Sequence, residues 1–469
     1  MTDLSPPPAD PAAPEPRRAS LGVLFLTVFV DLVGFSIIFP LFPDMLDHYV
    51  QADGSNSLIG SLAAWLGEFT SHPDPDRQRL YTTALFGGVL GSIYSALQFV
   101  FAPFWGRLSD RTGRRPILLI SITGLALAYL VWVFAGSFVL LVISRVVAGI
   151  MGGNISVATA AVADITGEKD RAKGMGMIGA AFGLGFILGP AIGGLLSSVD
   201  LSETGVAGLN PFSAPALAAM GLSIWNLIWV SLRFPETLPP ENRGTSPRHT
   251  RSFNPVRLLS GHNLPNGVSG TNLLFFLYQT AFAGMEFTLV FLAKERLGYT
   301  RHEMMWIFIF VGLLIALVQG GIVRRLAPKL GERRLIRTGL VMLVPGLMIV
   351  GWARTTPIFY GGLALLAIGS ALVSPCLSAL VSLYTPADRQ GEVLGVFRSI
   401  GALSRAIAPV IAGLVFWKLG SQWPYYGSAL IMIAPLLLSS RLPTPAPSDA
   451  TPTSDRSLPG NSQESSANG

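Results

Sequence analysis

Five ionisable residues, Asp31, Arg145, Glu286, Arg398 and Arg405, lie inside long apolar runs of a 469-residue chain in which only 13% of residues are charged. A charge within a membrane-spanning helix costs several kcal/mol unless it faces a partner or water, so each of the five is a candidate for chemistry. Asp31 sits about ten residues into its run, or ~15 Å at 1.5 Å per residue, near the middle of a bilayer. Two readings stay open for it: a carboxylate that takes up and releases protons while Arg145 tunes it, or a permanent Asp31–Arg145 ion pair holding helices together. Glu286, in "AFAGMEFTLVF", is either a second protonatable carboxylate or a hydrated residue at a cavity mouth. Arg398 and Arg405 are seven residues apart, two helical turns, which puts them on one face as a cationic stripe suited to an anion. Arg398 lies only about 8 Å from a helix end and can also snorkel to the surface, whereas Arg405 is too deep for that. Gln98, Asn154, Gln279 and Gln319 can add hydrogen bonds in a cavity or act as polar glue between helices.

The elements that must position these residues are set by composition. Half of the chain is apolar and the mean hydropathy is +0.52, far from the soluble norm. The net charge of +6 raises nucleic acid as a partner, but the basic residues alternate with apolar runs and form no patch, which excludes it. Cys376 lies alone in an apolar run and reads as a structural thiol. Arg17 and Arg18 before an apolar run resemble a signal peptide, yet the run is too long, holds Asp31 and lacks a small-residue cleavage site. A bilayer core takes about 20 apolar residues as a helix. Twelve such spans can be drawn, at 21–43, 81–105, 117–135, 138–162, 174–196, 214–232, 270–293, 304–323, 338–353, 358–384, 393–416 and 425–440.

The expected organisation is a disordered cytoplasmic tail over 1–20, a six-helix bundle over 21–232, a cytoplasmic linker over 233–268, a second six-helix bundle over 269–440 and a disordered cytoplasmic tail over 441–469. With both termini in the cytoplasm, 23 of the 33 Lys and Arg fall in cytoplasmic loops and tails against seven on the other side, which satisfies the positive-inside rule. "DRAKGMGMIGAAFGLGFILGPAIGGLL" from Asp170 resembles "DRQGEVLGVFRSIGALSRAIAPVIAGLV" from Asp388. The two aspartates are 218 apart, Pro190 and Pro409 are 219 apart, and Gly113 and Gly331 are 218 apart. One shared offset implies a duplicated six-helix unit, as in carriers with alternating access. Prolines inside helices five and eleven should kink both. The register breaks before Gly113 because 44–80 is an insertion on the outer side. Within it "SLIGSLAAWLGEF" is either a short amphipathic helix on the membrane surface or a solvated loop.

The stretch "GRLSDRTGRRP", 106–116, gathers charge into a turn between helices two and three, with Gly106 and Gly113 allowing it to be tight and Asp110 one helical turn from Arg114. It resembles the loop signature of the major facilitator superfamily, with Gly106, Leu108, Asp110, Arg111, Gly113, Arg114, Arg115 and Pro116 in place. "RVVAGIMGG" looks like that family's fourth-helix motif, with Arg145 and Gly149. "GFILGPAIGG" is similar to its fifth-helix antiporter motif, with Gly185, Gly189, Pro190, Gly193 and Gly194. "FPETLP", 234–239, is similar to the end of helix six in drug-exporting members. "ALFGGVLGS", "SPCLSALV" and "FRSIGALSRA" narrow the resemblance to the tetracycline-transporter-like, drug:proton antiporter branch. The resemblance implies an all-α membrane protein of twelve helices in two pseudo-symmetric bundles, carrying organic anions or amphipathic drugs. It also implies a structural and coupling role for Arg145, and a conformational latch of Gly106, Asp110, Arg111, Gly113, Arg114 and Arg115. In that latch the Asp110–Arg114 pair engages the end of helix four at Asp164, while Asp110 faces the N-terminus of helix eleven near Gly391.

Catalysis finds no support. His48, His72, His249, His262 and His302 fall in loops or tails without metal-ligand spacing or a nucleophile motif, and no Lys-Ser/Thr follows the glycines of 174–194 as a phosphate loop requires. The reading is a monomeric carrier in a lipid bilayer, without cofactor or metal, that moves a small organic solute by alternating access with protons as the coupled species. An uncoupled facilitator or anion exchanger, and a membrane scaffold that has lost transport, are the alternatives.

Overall fold

A computed structural model describes residues 17–166, 168–238, 240–243, 264–385 and 390–444, so most of the expected tails and linker lies outside the described residues. The first helix already starts at Arg17, four residues inside the expected N-terminal tail. Among the described residues eleven helices are long and apolar enough to cross a membrane. We number the spans α1 (Leu21–Leu41), α2 (Pro75–Thr112), α3 (Arg114–Val133), α4 (Phe138–Val162), α5 (Gly176–Leu196), α6 (Ser213–Arg233), α7 (Val268–Leu297), α8 (His302–Val323), α9 (Glu332–Trp352), α10 (Thr356–Tyr384) and α11 (Val393–Leu419). The expected twelfth span, α12, is the helix Trp423–Arg441, whose start, Trp423, Pro424, Tyr425 and Tyr426, dilutes its apolar content. Its 19 residues still reach about 28 Å, enough for a hydrocarbon core.

Spans α1–α6 and α7–α12 form two six-helix halves. They meet along two seams, α2 against α11 and α5 against α8. Small residues allow the first seam: a Cβ on Gly88 would stand 3.0 Å from the Pro409 carbonyl oxygen, and one on Gly413 3.2 Å from Leu85. Within the first half the glycines of α5 form a groove for α1. A Cβ on Gly185 would meet Leu32 at 2.6 Å, on Gly189 the Ser36 hydroxyl at 2.0 Å, and on Gly193 the Ile37 carbonyl at 2.0 Å. Gly194 faces the other way, onto Met305 of α8 at 3.1 Å. Three glycines at a spacing of four thus dock one helix and a fourth docks the opposite half. The helix stays continuous through Pro190, as does the one that contains Pro409.

Three elements depart from the spans expected. Span α4 is two helices, Phe138–Met151 and Asn154–Ile165, broken at Gly152–Gly153. The break is filled from α2: Trp105 donates to the Ile150 carbonyl at 2.6 Å and Gln98 to the Gly152 carbonyl at 3.0 Å, so the freed backbone oxygens keep partners. Span α8 ends in a π-helical stretch, Val318–Val323, that contains Gln319. The insertion is largely helical: α1 passes through a 3-10 turn into a helix Phe42–Asp53, and a second insertion helix runs over Leu58–Phe69. We call this the insertion side of the membrane and the opposite face, with 106–116, the loop side.

Candidate functional site

Arg398 and Arg405 of α11 line a central cavity of about 100 Å³ together with Glu286 of α7. The first half contributes Phe182, Gly183 and Phe186 of α5, while α7, α8, α10 and α11 supply the rest, including Gln279, Gln319 and the Phe275 and Phe397 rings. The seven-residue spacing places both guanidiniums over one ring: Phe182 lies 4.7 Å from Arg398 Cζ and 5.6 Å from Arg405 Cζ, and Phe186 lies 5.5 Å from Arg405. Such cation–π contact holds a guanidinium without neutralising it. Arg398 also donates to the Ser378 hydroxyl at 3.1 Å, and Arg405 to the Gln98 amide oxygen across the α2–α11 seam at 3.4 Å. Gly401 lets the Phe275 ring close on α11, with a Cβ there 3.2 Å from it, and Phe275 stacks on Phe397 at 4.0 Å. Glu286 lies within electrostatic reach of Arg405, yet neither arginine has a carboxylate within 4.0 Å among the described residues. The cavity therefore holds two cations, one carboxylate and aromatic walls.

Asp31 and Arg145 lie elsewhere, in a sealed polar cluster of the first half. Asp31 is 2% exposed and neither carboxylate oxygen has a hydrogen-bond partner. Asn154, which opens the second segment of α4, turns its side-chain amide toward that carboxylate. Tyr129 presses its hydroxyl onto Gly34, one turn along α1, where a Cβ would be 2.2 Å away, and that hydroxyl is also unpaired. The structure does not bring Asp31 and Arg145 into an ion pair. Arg145 instead stacks on Trp132, with Cζ 4.3 Å from the ring, lies 5.9 Å from Tyr129, and donates from Nε to Ser144 at 3.3 Å. Asp31, Asn154, Tyr129 and Arg145 thus form one buried polar cluster between α1, α3 and α4.

The 106–116 stretch is helical, not a loop: α2 runs to Thr112, Gly113 alone makes the turn at φ +108°, and α3 begins at Arg114. Gly106 is thus inside a helix and is not part of the turn. Arg114 joins Asp110 at 2.5 Å, Asp164 at 2.9 Å and the Ser109 hydroxyl at 2.7 Å. Arg111 is exposed, and Arg115 donates to the Ser231 carbonyl at 2.7 Å. The residues leading to Gly391 lie outside the described residues, so the expected contact of Asp110 with helix eleven falls there. Glu236 of "FPETLP" is a member that sequence reasoning did not assign: it accepts from the backbone N–H of Arg114 at 2.8 Å and Arg115 at 3.2 Å, capping α3. The aromatic floor of the cavity was also missed, although Phe182 and Phe186 share a face at i, i+4.

A sealed carboxylate in one half, a cationic cavity between halves, and an ion-paired turn at the membrane surface occur here on twelve helices. The Major Facilitator Superfamily matches residues 24–409 and again 271–464, and the chain belongs to that family of membrane transporters. It is 38% identical to bovine major facilitator superfamily domain-containing protein 10 over 94% of this chain and 96% of that one. The Escherichia coli tetracycline resistance protein, class C, is 29% identical over 89% of this chain and 94% of its own length. Among solved structures, the human organic anion transporter MFSD10 superposes with a TM-score of 0.75 at 33% identity, covering 91% of this chain and all of the other.

Proposed function

We propose that this transporter carries an organic anion with an apolar, ring-bearing body by alternating access, coupled to protons. The observation that carries the reading is the pair Arg398 and Arg405, held over Phe182 and facing a cavity with a single carboxylate. An anion entering there meets two guanidiniums that are positioned but not neutralised, while aromatic walls take its apolar part. Similarity to a human protein described as an organic anion transporter supports the same class, and similarity to tetracycline resistance proteins supports amphipathic drugs as further cargo.

Proton coupling is supported by two buried carboxylates of different setting. Glu286 faces Arg405, so a proton on Glu286 leaves Arg405 free for a cargo anion and a cargo anion favours that proton. Asp31 is buried with no cation within 4.0 Å among the described residues and only the Asn154 amide toward it, a setting suited to uptake and release of a proton. The basic bias of the loop side supports a cytoplasmic position for 106–116 and both termini, and the Arg114 bonds to Asp110 and Asp164 support a latch on that face. The test is counterflow of radiolabelled organic anions in proteoliposomes. Arg405→Gln should lose counterflow that the wild type shows, and counterflow equal to the wild type's would overturn the assignment of the cavity.

A further inference from the structure

The insertion helix Leu58–Phe69 carries an apolar face that the protein does not cover. Leu58 is 63% exposed, Trp65 59% and Phe69 44%, on one face at positions i, i+7 and i+11, with half-buried Leu62 at its edge packing on the core. The adjoining face, about a quarter turn round the helix, is firmly docked, with Ile59 and Leu66 buried. The Ser57 hydroxyl caps the start of the helix by accepting from Gly60 N–H at 3.1 Å, and Gln78 donates to the Gly67 carbonyl at 2.9 Å. It is therefore a fixed element with one bare apolar stripe, and such stripes mark an interaction surface.

What covers the stripe follows from its height. Trp65 stacks on Phe69, with ring centroids 5.7 Å apart, and Phe69 packs on Trp417 at 4.4 Å. Trp417 lies in the last turn of α11, and Lys418 sits over its ring at 4.6 Å, a pairing suited to the boundary between acyl chains and headgroups. Exposed Trp306 near the start of α8, Trp352 at the end of α9 and Trp423 at the start of α12 stand at the same ends of neighbouring spans. Together they make an aromatic belt on the insertion side, to which Trp65 adds a member. The helix bears one charge, Glu68, on an exposed position away from the apolar stripe.

We propose that Leu58–Phe69 lies flat in the interfacial layer of the insertion-side leaflet, with Leu58 and Trp65 seated among lipid. Its occupant is the bilayer itself, continuous with the lipid that surrounds the spans. Since Phe69 belongs to the first half and Trp417 to the second, this lipid-seated helix also joins the two halves at the membrane boundary.

The experiment uses the full chain in phosphatidylcholine nanodiscs, with Cys376→Ser and a nitroxide on Trp65→Cys, Trp352→Cys or Glu68→Cys. Collision with oxygen, which partitions into lipid, is compared with collision with a water-soluble nickel chelate. The expected result is an oxygen-to-nickel ratio at Trp65 close to that at Trp352 and several-fold above that at Glu68. A ratio at Trp65 equal to that at Glu68 overturns the proposal in favour of a solvated helix. Low collision with both reagents together with spin–spin broadening overturns it in favour of a second copy of the chain. Cys376 is buried, so labelling in its presence gives the same reading should Cys376→Ser misfold.

Discussion

In the first half, Asp31 and Arg145 are shut away from the cavity, Asp31 beside the Asn154 amide and Arg145 over Trp132. In the second, Glu286, Arg398 and Arg405 all line it. Two bundles of the same architecture thus treat charge in opposite ways. The first half breaks α4 at Gly152–Gly153 beside the Asp31 cluster, and the second loosens α8 into a π turn whose Gln319 lines the cavity. Gln98 joins the two, donating to the α4 break and accepting from Arg405. The lesson is one of placement: the ionisable groups that line the cavity belong to the second half, while Asp31 and Arg145 of the first are buried away from it.

The sharpest way to break this comparison is to remove one charge from each half. Arg405→Gln should lower anion counterflow more than tenfold, which corresponds to ~1.4 kcal/mol or more of lost interaction, while Asp31→Asn leaves counterflow standing. Asp31→Asn should instead abolish accumulation driven by a pH gradient in the same vesicles. Accumulation equal to wild type would mean that the Asp31 cluster plays no part in coupling. Glu286→Gln should separate the two effects further. Anion affinity of the wild type, read by thermal shift with graded anion, should rise as pH falls because protonating Glu286 leaves Arg405 uncompensated; in Glu286→Gln it should stay high at every pH.

Smaller effects probe the scaffold that keeps the halves distinct. Gly193→Val places a side chain where even a Cβ would be 2.0 Å from the Ile37 carbonyl, and backbone cannot yield as a side-chain tip can. Overpacking of this kind costs about 1–3 kcal/mol, and melting in detergent should fall with it. Glu236→Gln leaves the shape but removes the anionic cap of α3, worth ~1 kcal/mol, and should give the smallest melting shift of the series. A larger shift than that of Gly193→Val would make the Glu236 cap, not the α1–α5 groove, the main support of the first half.

Much of this was legible in residue types and spacing. Twelve apolar runs, one offset of 218 and the charge bias of the loops led to two six-helix halves because a bilayer demands continuous apolar helices of fixed length. Glycines at 185, 189 and 193 stood out as a motif by resemblance, and the structure shows what they do: they admit α1. The Asp110–Arg114–Asp164 contacts followed from a resemblance in motif. Other features were hidden because they depend on which helices touch. An Asp31–Arg145 pair was allowed by the spans, but Trp132 and Tyr129 of α3 take the guanidinium instead. Gly106 looked like a turn residue because charge and glycine usually mark loops, yet α2 continues through it. Glu236 is distant in sequence from the helix it caps, and no local pattern links them.

By itself the sequence determined the number of spans, the six-and-six division and the identity of every deep charge, since hydropathy and periodicity are local properties read along one chain. The tertiary structure decided which of those charges share a space. Arg398 and Arg405 come together over Phe182 because α5 of one half crosses beside α11 of the other, and Asp31 is sealed because Gly34, Gly185 and Gly189 let its neighbours close over it. The insertion helix shows the same limit: its sequence permitted a surface helix or a loop, and only the packing of Phe69 on Trp417 set it at the height of the membrane boundary. Contacts between segments far apart in the chain carry these decisions, and close packing of three-dimensional shape, which no single stretch encodes, selects among them.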